Sequence, residues 1–157
     1  MAKVFEDILS ENLTDMVSIC LEYVENRAEK IFVYASAEGH SVMVNCFMQI
    51  HGHILGMGNL NKALKPGEKP FETSPKVQDQ VITILFKDFD KIKKACKEYE
   101  REVPKEIKAT YDCRTKQFDC KLGYDNVWSV RRNTDSVTIW REWQAEEQRK
   151  LDLGLSQ

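Results

Sequence analysis

The spacing of apolar residues along this 157-residue chain points to an α+β fold. It predicts an antiparallel sheet built from hairpins, with N-terminal, central long and C-terminal helices packed on one face. Three observations lead there. Two long segments repeat apolar residues every three or four positions, as a helix with one buried face requires. Two pairs of shorter segments repeat them every second position, each pair broken by a short polar turn. Strands joined by such tight turns run antiparallel, because a parallel pair needs a crossover of about a dozen residues or more.

From about Lys3 to Asn26, apolar residues from Val4 and Phe5 through Leu13, Met16 and Val17 to Cys20, Leu21 and Val24 fall at helical spacing with acids between them. This is an amphipathic helix. The period then drops to two. Ile31, Val33, Ala35 and Ala37 alternate with Phe32, Tyr34 and Ser36, and Val42, Val44, Cys46, Met48 and Ile50 share one face of the return strand. Gly39 supplies the turn between them. A short third strand is expected around His53 to Met57. Asn59 to Lys76, with Pro66-Gly67, Pro70 and Pro75, reads as an exposed connection.

Ser74 followed by Pro75 is a helix start. The hydroxyl can accept a free first-turn N–H, and proline lacks only an N–H that has no partner there. Val77, Val81, Leu85, Phe89, Ile92, Cys96 and Tyr99 then trace the longest helix, which must end before Pro104. Ile107, Ala109, Tyr111 and Cys113 alternate with polar residues, as do Phe118, Cys120, Leu122 and Tyr124 beyond the turn Arg114-Thr115-Lys116-Gln117. That is a second hairpin, with Cys113 and Cys120 on its facing strands. Ser136 onward, with Val137, Trp140 and Trp143, closes the chain as a helix. Residues 151–157 are expected to fray, within a single domain spanning 1–157.

Composition removes several classes of function. A chain with 42% hydrophobic and 10% aromatic residues and only four Pro is neither disordered nor collagen-like. No apolar run approaches the roughly 18 residues of a membrane span, and the N-terminus lacks the order of a signal peptide, so a cytoplasmic location is expected and no membrane contact. Five cysteines, odd in number and without a CxxC pair, read as free thiols. A net charge of −2 and a pI near 6.0 do not favour direct binding of nucleic acid. The charge is uneven, however: residues 1–29 hold seven acids against Lys3 and Arg27, which suits a basic partner.

Catalytic signatures do not emerge. Gly52, Gly56 and Gly58 precede Asn-Leu-Asn-Lys and prolines where a phosphate-binding loop would need a helix. His51 and His53, on one side of an extended strand, could offer two imidazoles to a metal, but no third ligand stands at recognisable spacing. No cysteine or serine sits in a nucleophile motif. Asp88/Asp90 and Glu146/Glu147 are spaced as solvating charges. No catalytic residue, metal site or cofactor is therefore assigned. Trp128, in the non-periodic stretch from Tyr124 to Arg132, is the candidate exposed anchor, since Trp, Tyr and Arg dominate binding hot spots.

The second half carries a recognisable pattern. A long helix containing KIKKACKEYE, then Pro104, the strand motif on Ile107, Lys108, Thr110, Tyr111 and Asp112, a turn with Lys116 and Phe118, and a strand closing on Tyr124-Asp125 resemble the YezG-like family of bacterial immunity proteins. The first half is similar in outline, with a helix followed by KIFVYASAEGHSVMVNCF. The resemblance implies a small cytoplasmic antidote that binds and blocks a protein toxin, generally the nuclease domain of a larger secreted toxin. Acids opposite a basic nuclease surface would speed association, and an aromatic anchor would slow dissociation. The partner-binding residues expected on this basis are Glu6, Glu11, Glu22, Glu25, Asp125 and Trp128. A small enzyme built around His51 and His53, and an adaptor that serves no toxin, are the alternatives.

Overall fold

The computed structural model describes residues 4–155. In chain order it contains α1 (Phe5–Tyr23), β1 (Lys30–Glu38), β2 (Ser41–Ile50), β3 (His53–Gly56), a 3-10 helix (Met57–Ala63), α2 (Pro75–Glu98), β4 (Glu106–Asp112), β5 (Gln117–Gly123) and α3 (Ser136–Asp152). The strands form one antiparallel sheet in the order β3-β2-β1-β4-β5. After α2, the second hairpin returns so that β4 lies beside β1, with Lys30 opposite Asp112. The α+β class and the three helices on an antiparallel sheet are as expected.

Side chains alternate along a strand, so the register sorts the sheet into two faces. Ile31, Val33 and Ala35 align with Val44, Cys46 and Met48 and with Ile107 and Ala109, and all are buried with the inward residues of α1 and α2. Phe32, Tyr34, Phe47 and Ile54 point the other way and are buried with Ile139 and Trp143 of α3. The helices therefore cover both faces, which corrects the expectation that all three pack on one. Phe32 and Tyr34 are as deeply buried as Ile31 and Val33. A strand apolar on both sides needs cover on both.

The start of α1 lies beside the end of α2. Phe5 meets Tyr99 edge-on with ring centroids 6.0 Å apart, and the Arg101 guanidinium sits 4.4 Å above the Phe5 ring. Leu85, Phe89 and Ile92 of α2 are fully buried in the same cluster as Leu13, Met16 and Cys20 of α1. Each such large apolar side chain contributes about 1.5–3 kcal/mol by leaving water. Ser74 caps α2 by accepting the Val77 N–H at 3.4 Å, with Pro75 as the first helical residue.

Two boundaries differ from expectation. Residues 151 and 152 belong to α3, and Leu151 packs against its aromatic cluster. Gly154 then takes a left-handed φ of 69°, letting the Gly154 and Leu155 N–H groups reach back to the carbonyls of Leu151 and Lys150 at 3.0 and 2.8 Å. That closure is a glycine helix stop, so the expected fraying does not begin at 151; residues 156 and 157 lie outside the described residues, as do 1–3. The connection after β3 is also more ordered than its prolines suggested. Leu60, Ala63 and Phe71 are buried there. Asn61 holds the Phe71 backbone from both sides, at 2.7 and 3.1 Å, and Arg27 stacks 3.9 Å over its ring.

Candidate functional site

Of the three α-helices, α1 carries the largest net charge. The helix holds Glu6, Asp7, Glu11, Asp15 and Glu22 and no basic residue. Successive residues turn by about 100°. Asp7, Glu11, Asp15 and Glu22 therefore fall within about 40° of one line, a ridge about 22 Å long, and all four are exposed. They are exposed because Leu13, Met16, Val17 and Cys20 take the opposite side into the core.

The six residues expected to bind a partner do not form one patch. Glu6 is tied by a 3.0 Å ion pair to Arg101; a hydrogen bond from its own backbone N–H, then that guanidinium, holds its carboxyl below the ordinary range. Glu11 and Glu22 lie on the ridge. Glu25 follows the helix, where Lys69 at 3.4 Å and Arg27 at 4.0 Å partly neutralise it. Asp125 is exposed. Its neighbour Tyr124 lines a hollow of ≈ 460 Å³ with Phe5, Glu6 and Leu9, near the start of α1. Trp128 lies on the opposite face of the sheet, against the α3 cluster.

Trp128 is also not the free anchor that its irregular sequence setting suggested. Its ring N–H donates to Ser36 Oγ at 3.1 Å, and it is half-buried. The whole segment is fastened by Glu38, which no motif in the sequence singles out. The Glu38 carboxylate accepts the N–H groups of Val127 at 2.9 Å and of Trp128 and Ser129 at 3.2 Å, together with the Ser129 hydroxyl. Burial alone would raise its pKa; the Ser129 hydroxyl and the three amides outweigh that and hold it below the ordinary carboxylate range. The strand's own alternation held the signal, since Glu38 follows Phe32, Tyr34 and Ser36 on the side that α3 covers.

A second unpredicted acid sits between α1 and α2. Asp88 is 2% exposed, and its Oδ2 has no hydrogen-bond partner. Burial, then a hydrogen bond shared with the carboxyl of Asp15, pushes its pKa up to about 7. Two carboxyls in hydrogen-bond contact need a proton between them. Spacing alone had placed Asp88 on the solvated side of its helix.

α3 packs on β2 and β3 and leaves the β4–β5 half of its face open. A hollow of ≈ 430 Å³ remains there, lined by Lys108, Thr110, Asp119 and Lys121 from the sheet and by Trp143 and Glu146 from the helix. The Lys108 ammonium lies 5.4 Å from the centre of the Trp143 ring.

The histidines do not converge. His51 occupies the β2–β3 turn at φ 49° and contacts Glu68 at 3.0 Å, whereas His53 and His40 are exposed elsewhere. The two imidazoles therefore do not share one strand face, because the turn begins at His51. Among the described residues, no three His, Cys, Asp or Glu side chains group closely enough to hold a metal ion. Cys113 and Cys120 do not face each other either; Cys120 stands opposite Ala109, and Cys113 lies beyond the end of β4. Among the described residues no helix is long and apolar enough to cross a membrane.

No known family matches the chain, and no curated protein matches it.

Proposed function

We propose that this protein is an immunity protein, a cytoplasmic antidote that neutralises a cognate toxin by stoichiometric binding. The toxin expected is a nuclease domain, whose substrate-binding surface is basic. The observation that carries the reading is the charge of α1: five carboxylates, no base, and an outer ridge open to a partner. Such a surface steers a basic protein into encounter and repels the nucleic acid that the same protein would bind. The strand and turn motifs on Ile107, Lys108, Thr110, Tyr111, Asp112, Lys116, Phe118, Tyr124 and Asp125, which resemble those of the YezG-like family, support it. In this protein they make up the β4–β5 hairpin and its exit.

The proposal is tested in two linked steps. The tagged chain is used to capture its partner from the source cells at low salt, and that partner is then expressed in a naive bacterium with and without the chain. The expected result is a roughly equimolar basic protein that stops growth alone and is tolerated with the chain. A partner that is harmless alone, or that kills equally in the presence of the chain, contradicts the proposal.

A further inference from the structure

The two edges of the sheet are finished differently. At β3 the edge is only four residues long, runs into the 3-10 helix, and has its Ile54 N–H taken by Gln148 of α3 at 2.9 Å. At β5 it is seven residues long, contains no proline, and is uncovered. Phe118, Asp119 and Lys121 are all exposed there.

The hydrogen-bond pattern fixes what that edge presents. Ala37 donates to the Lys105 carbonyl and Cys113 to the Glu29 carbonyl, each at 2.9 Å, so the odd-numbered residues along β4 bond to β1 and the even-numbered ones bond to β5. The even residues of β4 stand opposite the odd residues of β5, from Glu106 with Gly123 to Asp112 with Gln117. The N–H and C=O groups of Phe118, Cys120 and Leu122 therefore point outward along the free edge.

We infer that β5 pairs antiparallel with β5 of a second copy of this chain, about a two-fold axis at Cys120, to make one continuous sheet across a dimer. In that register Phe118 and Leu122 form hydrogen-bonded pairs with Leu122 and Phe118 of the other copy, and the outward groups of Cys120 pair with each other. Between them, at the closer non-hydrogen-bonded positions, Asp119 meets Lys121 and Lys121 meets Asp119. Neither charge has an ion-pair partner among the described residues. The same register also puts apolar residues beside apolar ones on the opposite side of the strand. An edge built to stay single carries charges that repel its own copy; this one carries opposite charges placed two residues apart, the spacing that self-pairing satisfies. The inference is independent of the immunity reading.

Sedimentation of the full chain, from micromolar to near-millimolar concentration, tests it with four proteins: wild type, Asp119→Lys, Lys121→Asp and the double exchange. Both positions are exposed, and far-ultraviolet circular dichroism checks that each variant folds. The expected result is a concentration-dependent wild-type dimer, weakened about tenfold or more in each single variant, where two like-charge pairs replace two ion pairs, and recovered in the double. A wild type that stays monomeric throughout overturns the inference. So does a dimer indifferent to the single changes, or one that the double exchange does not restore.

Discussion

The two faces of the sheet are built on different terms. Under α1 and α2, one broad apolar cluster runs from Phe5 to Ala109, and its main polar intrusion is Asp88. Under α3 the buried cluster is smaller and mostly aromatic: Phe32 stacks on Phe47 at 4.5 Å, and Trp143 meets both edge-on at 5.6 and 4.9 Å. Polar fastening supplements it, through Glu38 to the 127–129 amides and Tyr34 to Glu106 at 2.7 Å. The difference teaches where a partner can be met without cost to the fold. The first face presents most of its charges on the far side of a two-helix layer, where one acid of the ridge, Asp15, reaches a buried group, Asp88, whereas the charges of the second face are partly committed to holding its own loop.

Substitutions ordered by size should separate the two faces. Phe89→Ala empties the middle of the larger core and should cost about 3–5 kcal/mol, lowering the global midpoint in urea. Trp143→Ala should cost about 3 kcal/mol, and hydrogen exchange should show the loss concentrated in α3 before the sheet. Equal deprotection of α1 and α3 in that variant would mean that the faces are not separable. Glu38→Ala removes the acceptor for three amides and should cost about 2 kcal/mol, with new exchange and proteolysis confined to residues 124–135. A silent Glu38→Ala would show that the loop is held by packing of Val127 and Trp128 alone.

Asp88 gives an effect that depends on pH. Its pKa in the fold, about 7, lies above that of an unfolded aspartate, about 3.9. Its contribution is therefore complete below pH about 3.9 and is lost as pH rises through about 7. Wild-type stability should fall between pH about 3.9 and about 7, by at most about 1.4 kcal/mol per pH unit from this group, and level off above that range. Asp88→Asn, which stays neutral, should flatten that slope. The groups facing Asp88 are Asp15 across the helix pair and Lys91 on its own helix; an unchanged slope in the variant would move the effect to another group.

Much of this was legible in sequence where one residue decides one feature. Ser74-Pro75 marked the start of α2, Gly39 the first hairpin, and Pro104 the end of the long helix, because each acts through local backbone chemistry. The placement of α3 does not follow from alternation alone, which makes Phe32 and Tyr34 the second side of a strand with one covered face. The run IFVYA is apolar on both sides of its strand, the mark of two covered faces. Glu38 and Asp88 were not legible, since a carboxylate looks the same in sequence whether water or buried amides hold it. Trp128 was misplaced for a related reason: irregular backbone says nothing about exposure when a distant side chain satisfies its N–H groups. The acids in and just after α1 were readable as a charged face, and the structure added which of them are engaged: Glu6 and Glu25 are in ion pairs and Asp15 shares a hydrogen bond with Asp88, while Glu22 lies on the exposed ridge.

That division points to the measurement bearing most directly on the central claim, that the acid-only helix meets a basic partner. Association of the captured toxin with the wild type and with Glu22→Lys/Glu25→Lys should be timed across a range of salt concentrations. The account predicts a several-fold slower association for the variant at low salt, a difference that closes as salt rises, and a larger share from Glu22 than from Glu25. Equal association rates at low salt would contradict it and move the partner's contact off α1.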